Sequence, residues 1–283
     1  MAPNTRRGAK RRIATTPPKG ASHGAGTSFT AENYPPTIPQ SLEYHSRTFE
    51  DAARAIDCRT SEKASEGAPF GSQTGDVEVW ANEHGKLIPD HYFHGLEVVS
   101  DCTSEHKVYL RQSDRRAVKK TWAGVYGQVP VPRDGKLDRT NASPVEYLRR
   151  MSLQINVFGS DLRLEGVHIS EEPSMIVGQP ARQPSFVISQ SWLDKAGTAT
   201  NESISAYLTE EKFREVPGSY FGWYRPADGV VIVDAKPDNF IKTAAGLVPI
   251  DLQMAVFGEK QVIEAGLSDL KNQSAAGTLI ILP

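Results

Sequence analysis

The segment Val231–Gln253, VIVDAKPDNFIKTAAGLVPIDLQ, sets Asp234, Lys236, Asn239 and Asp251 between apolar runs. Two carboxylates, an ammonium and a carboxamide are side chains that take protons, spread negative charge and hold hard cations. Each has a plainer account when taken alone. A Pro-Asp-Asn run forms turns, a lone Lys is most often solvated, and Asp251 can simply end a strand. The whole set, counting Pro237, is about a one-in-ten-thousand coincidence anywhere along a chain of this length, at roughly one in 20 per fixed residue.

Elements on both sides must position such a set. Leu42, Phe49, Ala52, Ala53 and Ile56 share one helical face over Ser41–Ile56. A Gly/Ser-rich link, Ser61–Gly75, precedes a short helix over Asp76–Glu83 closed by Gly85. From Gly95 to Trp122 the pieces GLEVVSD, HKVYLRQ and RAVKKTW read as an antiparallel meander. The clearest helix is Ser143–Phe158, with Ser143 as N-cap, Pro144 in the first turn, Glu146 three residues after the cap, and Leu148, Met151, Ile155 and Phe158 as a stripe. Strands follow at Leu162–Ile169 and Ser185–Gln190, then a helical stretch over Asn201–Val216. Strands near Val230–Val233 and Phe240–Lys242, and a third ending at Asp251, frame the polar segment. Segregated strands and helices predict an α+β fold.

The bulk numbers set limits on these elements. Of 283 residues 39% are hydrophobic, and four Trp, nine Tyr and ten Phe suffice for a core. Cys58 and Cys102 have neither disulfide-framework nor zinc-site spacing. No run has transmembrane length, no apolar signal region opens the chain, and more charge follows Arg6-Arg7. The expectation is a cytoplasmic protein without membrane contact. Residues 1–40 are rich in Pro, Gly, Ser and Thr and carry six Lys/Arg before the first acidic residue, Glu32. They read as a disordered basic arm able to touch nucleic acid. The remaining 26 basic and 34 acidic residues leave net −8.

DAKPDN, followed by an Asp twelve residues after Asn239, closely resembles the catalytic loop and metal-binding Asp of protein kinases. That resemblance implies an ATP- and Mg2+-dependent phosphotransferase. It places Asp234 before the attacking hydroxyl and Lys236 by the transferred phosphate, with Asn239 and Asp251 on the magnesium ions. Upstream, Ala117-Val118-Lys119 matches the family's A-I-K strand, with Ala117 lining adenine and Lys119 reaching the phosphates. Glu146 is the candidate partner of Lys119, although SPVE is itself a capping box. Gln190–Leu193 fall where a hinge offers backbone groups to adenine.

Departures from the family pattern are equally legible. The first turn is DCTSEH without glycines, Ile232 and Val233 replace His and Arg, DFG reads DLQ, and 32 residues follow Asp251. The chain most resembles the compact kinase-like domains of bacterial and phage polyvalent proteins. AVKKTWAGVYG (Ala117–Gly127), SPVEYLRRM (Ser143–Met151), SQSWL (Ser189–Leu193) and DAKPDNF (Asp234–Phe240) carry that likeness over roughly residues 77–258. It implies a minimal bilobal fold: a helical extension at 41–94, an antiparallel N-lobe at 95–190 and a truncated C-lobe at 191–283. The implied acceptor is a hydroxyl of a Ser/Thr/Tyr side chain. The alternatives are a small-molecule phosphotransferase of aminoglycoside type, or a pseudokinase binding module whose basic arm attracts nucleic acid.

Overall fold

The computed structural model describes residues 39–65, 73–101, 105–170 and 182–270. They belong to one compact unit, Ile38–Pro283. All but the last two residues of the expected basic arm, the loop containing Cys102, and the C-terminal residues after 270 lie outside the described residues.

Helices α1 (Gln40–Ser65) and α2 (Gln73–Glu83) come first, followed by strands β1 (Glu97–Ser100), β2 (His106–Arg111) and β3 (Arg116–Thr121). A hairpin of β4 (Gln128–Arg133) and β5 (Lys136–Asn141) precedes helix α3 (Pro144–Phe158). Then come β6 (Leu162–Ser170), β7 (Gln183–Ser191), α4 (Asn201–Glu210), β8 (Arg214–Glu215), β9 (Trp223–Arg225) and β10 (Val230–Val233). The chain continues through β11 (Phe240–Thr243), β12 (Gly246–Pro249), β13 (Gln253–Val256) and α5 (Glu259–Glu264). One antiparallel sheet runs β1-β2-β3-β7-β6 and a second runs β13-β10-β9-β8; β4–β5 and β11–β12 are separate hairpins. The architecture mixes helices with antiparallel sheets, as the α+β reading requires.

Helix α3 joins the parts. Ser143 Oγ accepts from Glu146 N while the Glu146 carboxylate accepts from Ser143 N, completing the capping box. Gly159 ends the helix at φ 63°, a left-handed conformation that glycine adopts without a Cβ penalty. Leu148, Met151 and Ile155 pack with Phe49, Ala53 and Ile56 of α1 and with Phe186 and Ile188 of β7. Leu153, Val157 and Phe158 lie against a second core built from α4, β10 and the chain around Leu252. One helix therefore buries two apolar faces against two cores. The N-terminal helices share the first core, so they are part of the same packed body.

Three local expectations need correction. Positions 61–65 continue α1, where a link was expected. The helix after Asn201 stops at Glu210, and positive φ at Lys212 (68°) turns the chain into β8. The β4–β5 hairpin lies where no element was expected, and prolines such as Pro130 and Pro132 are uncommon inside strands. They are accommodated in a two-stranded ladder opposite Arg139 and Leu137. Asp134 and Gly135 both have positive φ (51° and 74°), the Asp-Gly turn that matches strand twist in a two-residue hairpin.

Candidate active site

Lys119 faces Val108 of β2 and Ile188 of β7 in register, which places it on the middle strand of the larger sheet. Strand alternation puts Ala117 and Lys119 on one face and Val118 and Lys120 on the other. Val118 joins the apolar cluster with Tyr109 and Val187, and Lys120 Nζ lies 5.1 Å from the Phe93 ring on that opposite side. The Lys119 side chain is only 5% exposed. Its Nζ donates to Asp251 Oδ1 at 2.8 Å and to the Ile250 carbonyl at 3.3 Å. Burial pushes the Asp251 carboxyl up, but the adjacent Lys119 ammonium outweighs it and holds the group below its usual 3.8.

Asp234 and Asp251 are brought together by strand pairing. All four residues of β10 are buried, and β10 pairs with β13 so that Val233 faces Gln253. Asp234 leaves β10 at φ 61°, a left-handed conformation that Asp tolerates better than most residues. Its N–H donates to Tyr220 O at 3.1 Å, and Ala235 N–H donates to Phe221 O at 3.2 Å. The chain then makes a 3-10 turn over Pro237–Asn239 and enters the β11–β12 hairpin. Ile250 N–H donates to Asn239 O at 3.0 Å, tying the return of that hairpin to the turn.

The Asp234 carboxylate is divided in its duties. Oδ2 accepts from Asn239 Nδ2 at 3.0 Å and from Gln253 Nε2 at 3.4 Å. Oδ1 is buried without a hydrogen bond, although Lys236 Nζ stands 3.2 Å away and Arg139 Nη1 3.8 Å away. The carboxylate accepts nothing from a backbone N–H among the described residues. A turn-forming Asp would use that bond. A buried acceptor left unmatched costs about 1–3 kcal/mol. Unusual backbone conformations of this kind cluster at functional sites.

Asp234 thus groups with Lys236 and Asn239, Lys119 pairs with Asp251, and the Ile250 backbone, bound by Lys119 Nζ and to Asn239 O, links the two groups. Ala117 and Gln190, expected near adenine, are register partners on β3 and β7, and Gln190 Oε1 is buried without a partner. After Ser191 the chain leaves the sheet, with Trp192 N–H on Arg115 O at 2.8 Å and Ala196 N–H on Lys242 O at 2.7 Å. Glu146 departs from expectation. It is exposed and spends its carboxylate on the Ser143 N–H at 2.7 Å, so the partner of Lys119 is Asp251.

Residues without a sequence motif complete the surroundings. Gln154 Nε2 of α3 donates to Pro249 O and Ile250 O, both at 3.3 Å, and so braces the segment before Asp251. His106 Nδ1 is 3.9 Å from Asp251 Oδ1, and its Nε2 meets Tyr147 OH at 3.0 Å. Burial pushes the His106 imidazole below 6.5, against the pull of Glu105 and Asp251. Arg150, 2% exposed, pairs with Glu105 and donates to Gln128 O at 3.0 Å. Gly127 (φ 71°) sits where a Cβ would collide with the Glu105 carboxylate.

Glu105→Ala should strand the Arg150 charge and cost about 3–5 kcal/mol, and adding Arg150→Met should recover most of that loss. Urea midpoints of the two variants measure it. A single variant as stable as the wild type would remove the pair from the account of how α3 is held.

The donor set suits a nucleotide with magnesium. Lys119 and Lys236 are cations, while the Asn239 side-chain oxygen and Asp251 Oδ2 carry no hydrogen bond among the described residues. No group of three or more His, Cys, Asp or Glu is arranged to hold a metal among the described residues. Mg2+ needs no such group, since it commonly takes one or two carboxylates plus substrate phosphates. No helix among the described residues is long and apolar enough to cross a membrane. No protein-family model, curated protein or solved structure matches the chain.

Proposed function

We propose that the chain is an ATP- and Mg2+-dependent phosphotransferase with an alcohol acceptor, of the Ser/Thr/Tyr protein-kinase type. The observation that carries this reading is the Asp234 carboxylate: buried, held at Oδ2 by two amides, and left at Oδ1 without a hydrogen bond. The order of elements supports it too: two strands before the Lys119 strand, the β4–β5 hairpin and helix α3, the β6–β7 pair, then α4 and β8–β10 leading to the loop of Asp234. Ion pairing of Lys119 with Asp251 across 132 positions supports one phosphate-binding centre.

When bound, MgATP supplies the phosphoryl group and the charge of the metal. Everything else falls to the chain. Asp234 Oδ1 orients the acceptor hydroxyl and takes its proton as the new bond forms. Lys236, 3.2 Å from that oxygen, spreads negative charge on the transferred group. Lys119 holds the phosphates from the sheet side, and Asn239 and Asp251 are the residues that would hold Mg2+. Tyr220 O and Phe221 O, each bound by an N–H of the loop, fix where Oδ1 points.

The test is transfer of labelled γ-phosphate from ATP to the protein itself or to a generic protein acceptor. Magnesium-dependent incorporation that chelation abolishes is the expected result. Nucleotide binding without transfer to any protein or small-molecule alcohol overturns the enzymatic reading in favour of a binding module.

A further inference from the structure

We infer that the groove between β5 and the Gly218–Phe221 turn takes the acceptor, and that Arg139 selects an extended peptide carrying an acidic residue beside its hydroxyl. The inference rests on the phosphotransfer reading and adds an acceptor class to it. The groove has a volume of about 390 Å³; Lys136, Arg139, Ser219 and Tyr220 line it and Val233 reaches it. Val233 is the residue before Asp234, and Arg139, which lines the groove, stands 3.8 Å from Asp234 Oδ1, so the groove lies beside the carboxylate assigned to the acceptor hydroxyl.

Charge is out of balance there. The lining carries Arg133, Lys136 and Arg139 against Asp134 and Asp138, and Asp138 is taken by Arg133 at 2.7 Å and by the Arg139 backbone N–H at 2.8 Å, so it does not pair with the Arg139 guanidinium. That guanidinium lies 4.3 Å over the Tyr220 ring and 3.8 Å from Asp234 Oδ1, a carboxylate it shares with Lys236 at 3.2 Å. Two cations thus face one carboxylate, and a second carboxylate brought by the acceptor restores neutrality. An Arg fork, stacked on an aromatic face and one-third exposed, is preorganised to read it.

The walls favour a peptide over a compact molecule. Strand β5 is paired on one side only, with β4. Across the groove Tyr220 is 48% exposed, and the Phe221 ring 5.0 Å behind it faces a neighbouring pocket beside Trp223 and Ala235. The carbonyls of both residues are bound by the Asp234 and Ala235 N–H groups, so this aromatic wall is fixed to the loop that carries Asp234. An extended chain can lie along β5 against Tyr220 and present acid to Arg139 and hydroxyl to Asp234.

The experiment uses the full chain and serine peptides that differ only beside the serine: Asp, Ala or Lys. Transfer rates are measured together with binding of the matching alanine-for-serine peptides by fluorescence anisotropy. The expected result is about tenfold preference for the acidic peptide in both kcat/KM and binding. Arg139→Ala should reduce that preference to within about twofold through KM for the peptide, with MgATP affinity and Tm retained, while Arg139→Lys keeps part of it.

Equal use of the three peptides overturns the inference and leaves the phosphotransfer reading standing. So does a kcat loss in Arg139→Ala that is the same for all three, because that places Arg139 on the transferred group. Preference for a phosphorylated small alcohol over every peptide overturns the peptide commitment. Arg139-dependent binding of the acidic peptide without any transfer overturns the phosphotransfer reading and leaves the docking site. Neither binding nor transfer overturns both.

Discussion

Asp234→Asn will bind MgATP within a few-fold of the wild type and transfer phosphate ~100-fold or more slowly, the scale of a lost general base. The substitution keeps shape. The side-chain oxygen that accepts from Asn239 and Gln253 is retained, and the backbone bond from residue 234 to Tyr220 O is untouched. What changes is the atom at Oδ1, which becomes an amide nitrogen unable to take a proton. Lys119, Asn239 and Asp251, assigned to the nucleotide, stay in place, so affinity and rate separate. If Asp234 only shaped a turn, the variant would lose activity in proportion to lost folded protein. Melting temperature, MgATP affinity and autophosphorylation measured on one preparation separate the two accounts. A variant that folds, binds and transfers normally removes Asp234 from catalysis.

The parts of the site legible in the sequence are those written by local spacing. Asp234, Lys236 and Asn239 lie within one turn and its approach, and Asp251 follows a single hairpin. Strand alternation alone put Lys119 on the face opposite Lys120. Glu146 was ambiguous because SPVE encodes a cap three residues away as readily as a partner far along the chain. In the structure the local bond holds: closing it needs no chain folding beyond one helical turn.

Arg139 and Gln253 were illegible for a different reason. Arg139 reaches Asp234 only because the β4–β5 hairpin, where no element was expected, folds back on the loop. Gln253 reaches the same carboxylate only because β13 pairs with β10, and the DLQ spelling read as a departure from pattern. In the fold, caps and apolar stripes foretold α3, yet the second core on its Leu153–Val157–Phe158 face depends on tertiary packing. The division is between contacts that neighbours in sequence can make and contacts that need two distant elements already in place.

Asp251→Asn should both destabilise the free protein and abolish the stabilisation that ATP gives only when magnesium is present. The first effect follows from burial. Lys119 is 5% exposed and Asp251 35%, so removing the carboxylate leaves an ammonium far from water. Breaking such a pair costs about 3 kcal/mol, the low end of the buried range because one partner meets solvent. Lys119→Met in the same variant should recover part of that loss, and a double-mutant cycle gives the coupling between the two residues.

The pH dependence has a definite sign. The Asp251 carboxyl is held below its usual 3.8 in the folded state, so its contribution is full above that value and is lost as pH falls through the lower, folded one. The difference between wild type and variant should therefore hold its full size down to about pH 4 and shrink as pH falls further. The second effect follows from mass action: ligand at 100 times its Kd adds about 2.7 kcal/mol, and a site without its metal carboxylate loses the magnesium-dependent part. Lys119→Met removes the ion pair while keeping Asp251; because Lys119 is also assigned to the phosphates, each variant is compared at ATP concentrations that saturate it. If Lys119→Met retains a magnesium-dependent Tm rise with ATP and Asp251→Asn does not, Asp251 acts on the metal. An equal rise in Asp251→Asn and wild type would confine Asp251 to the ion pair.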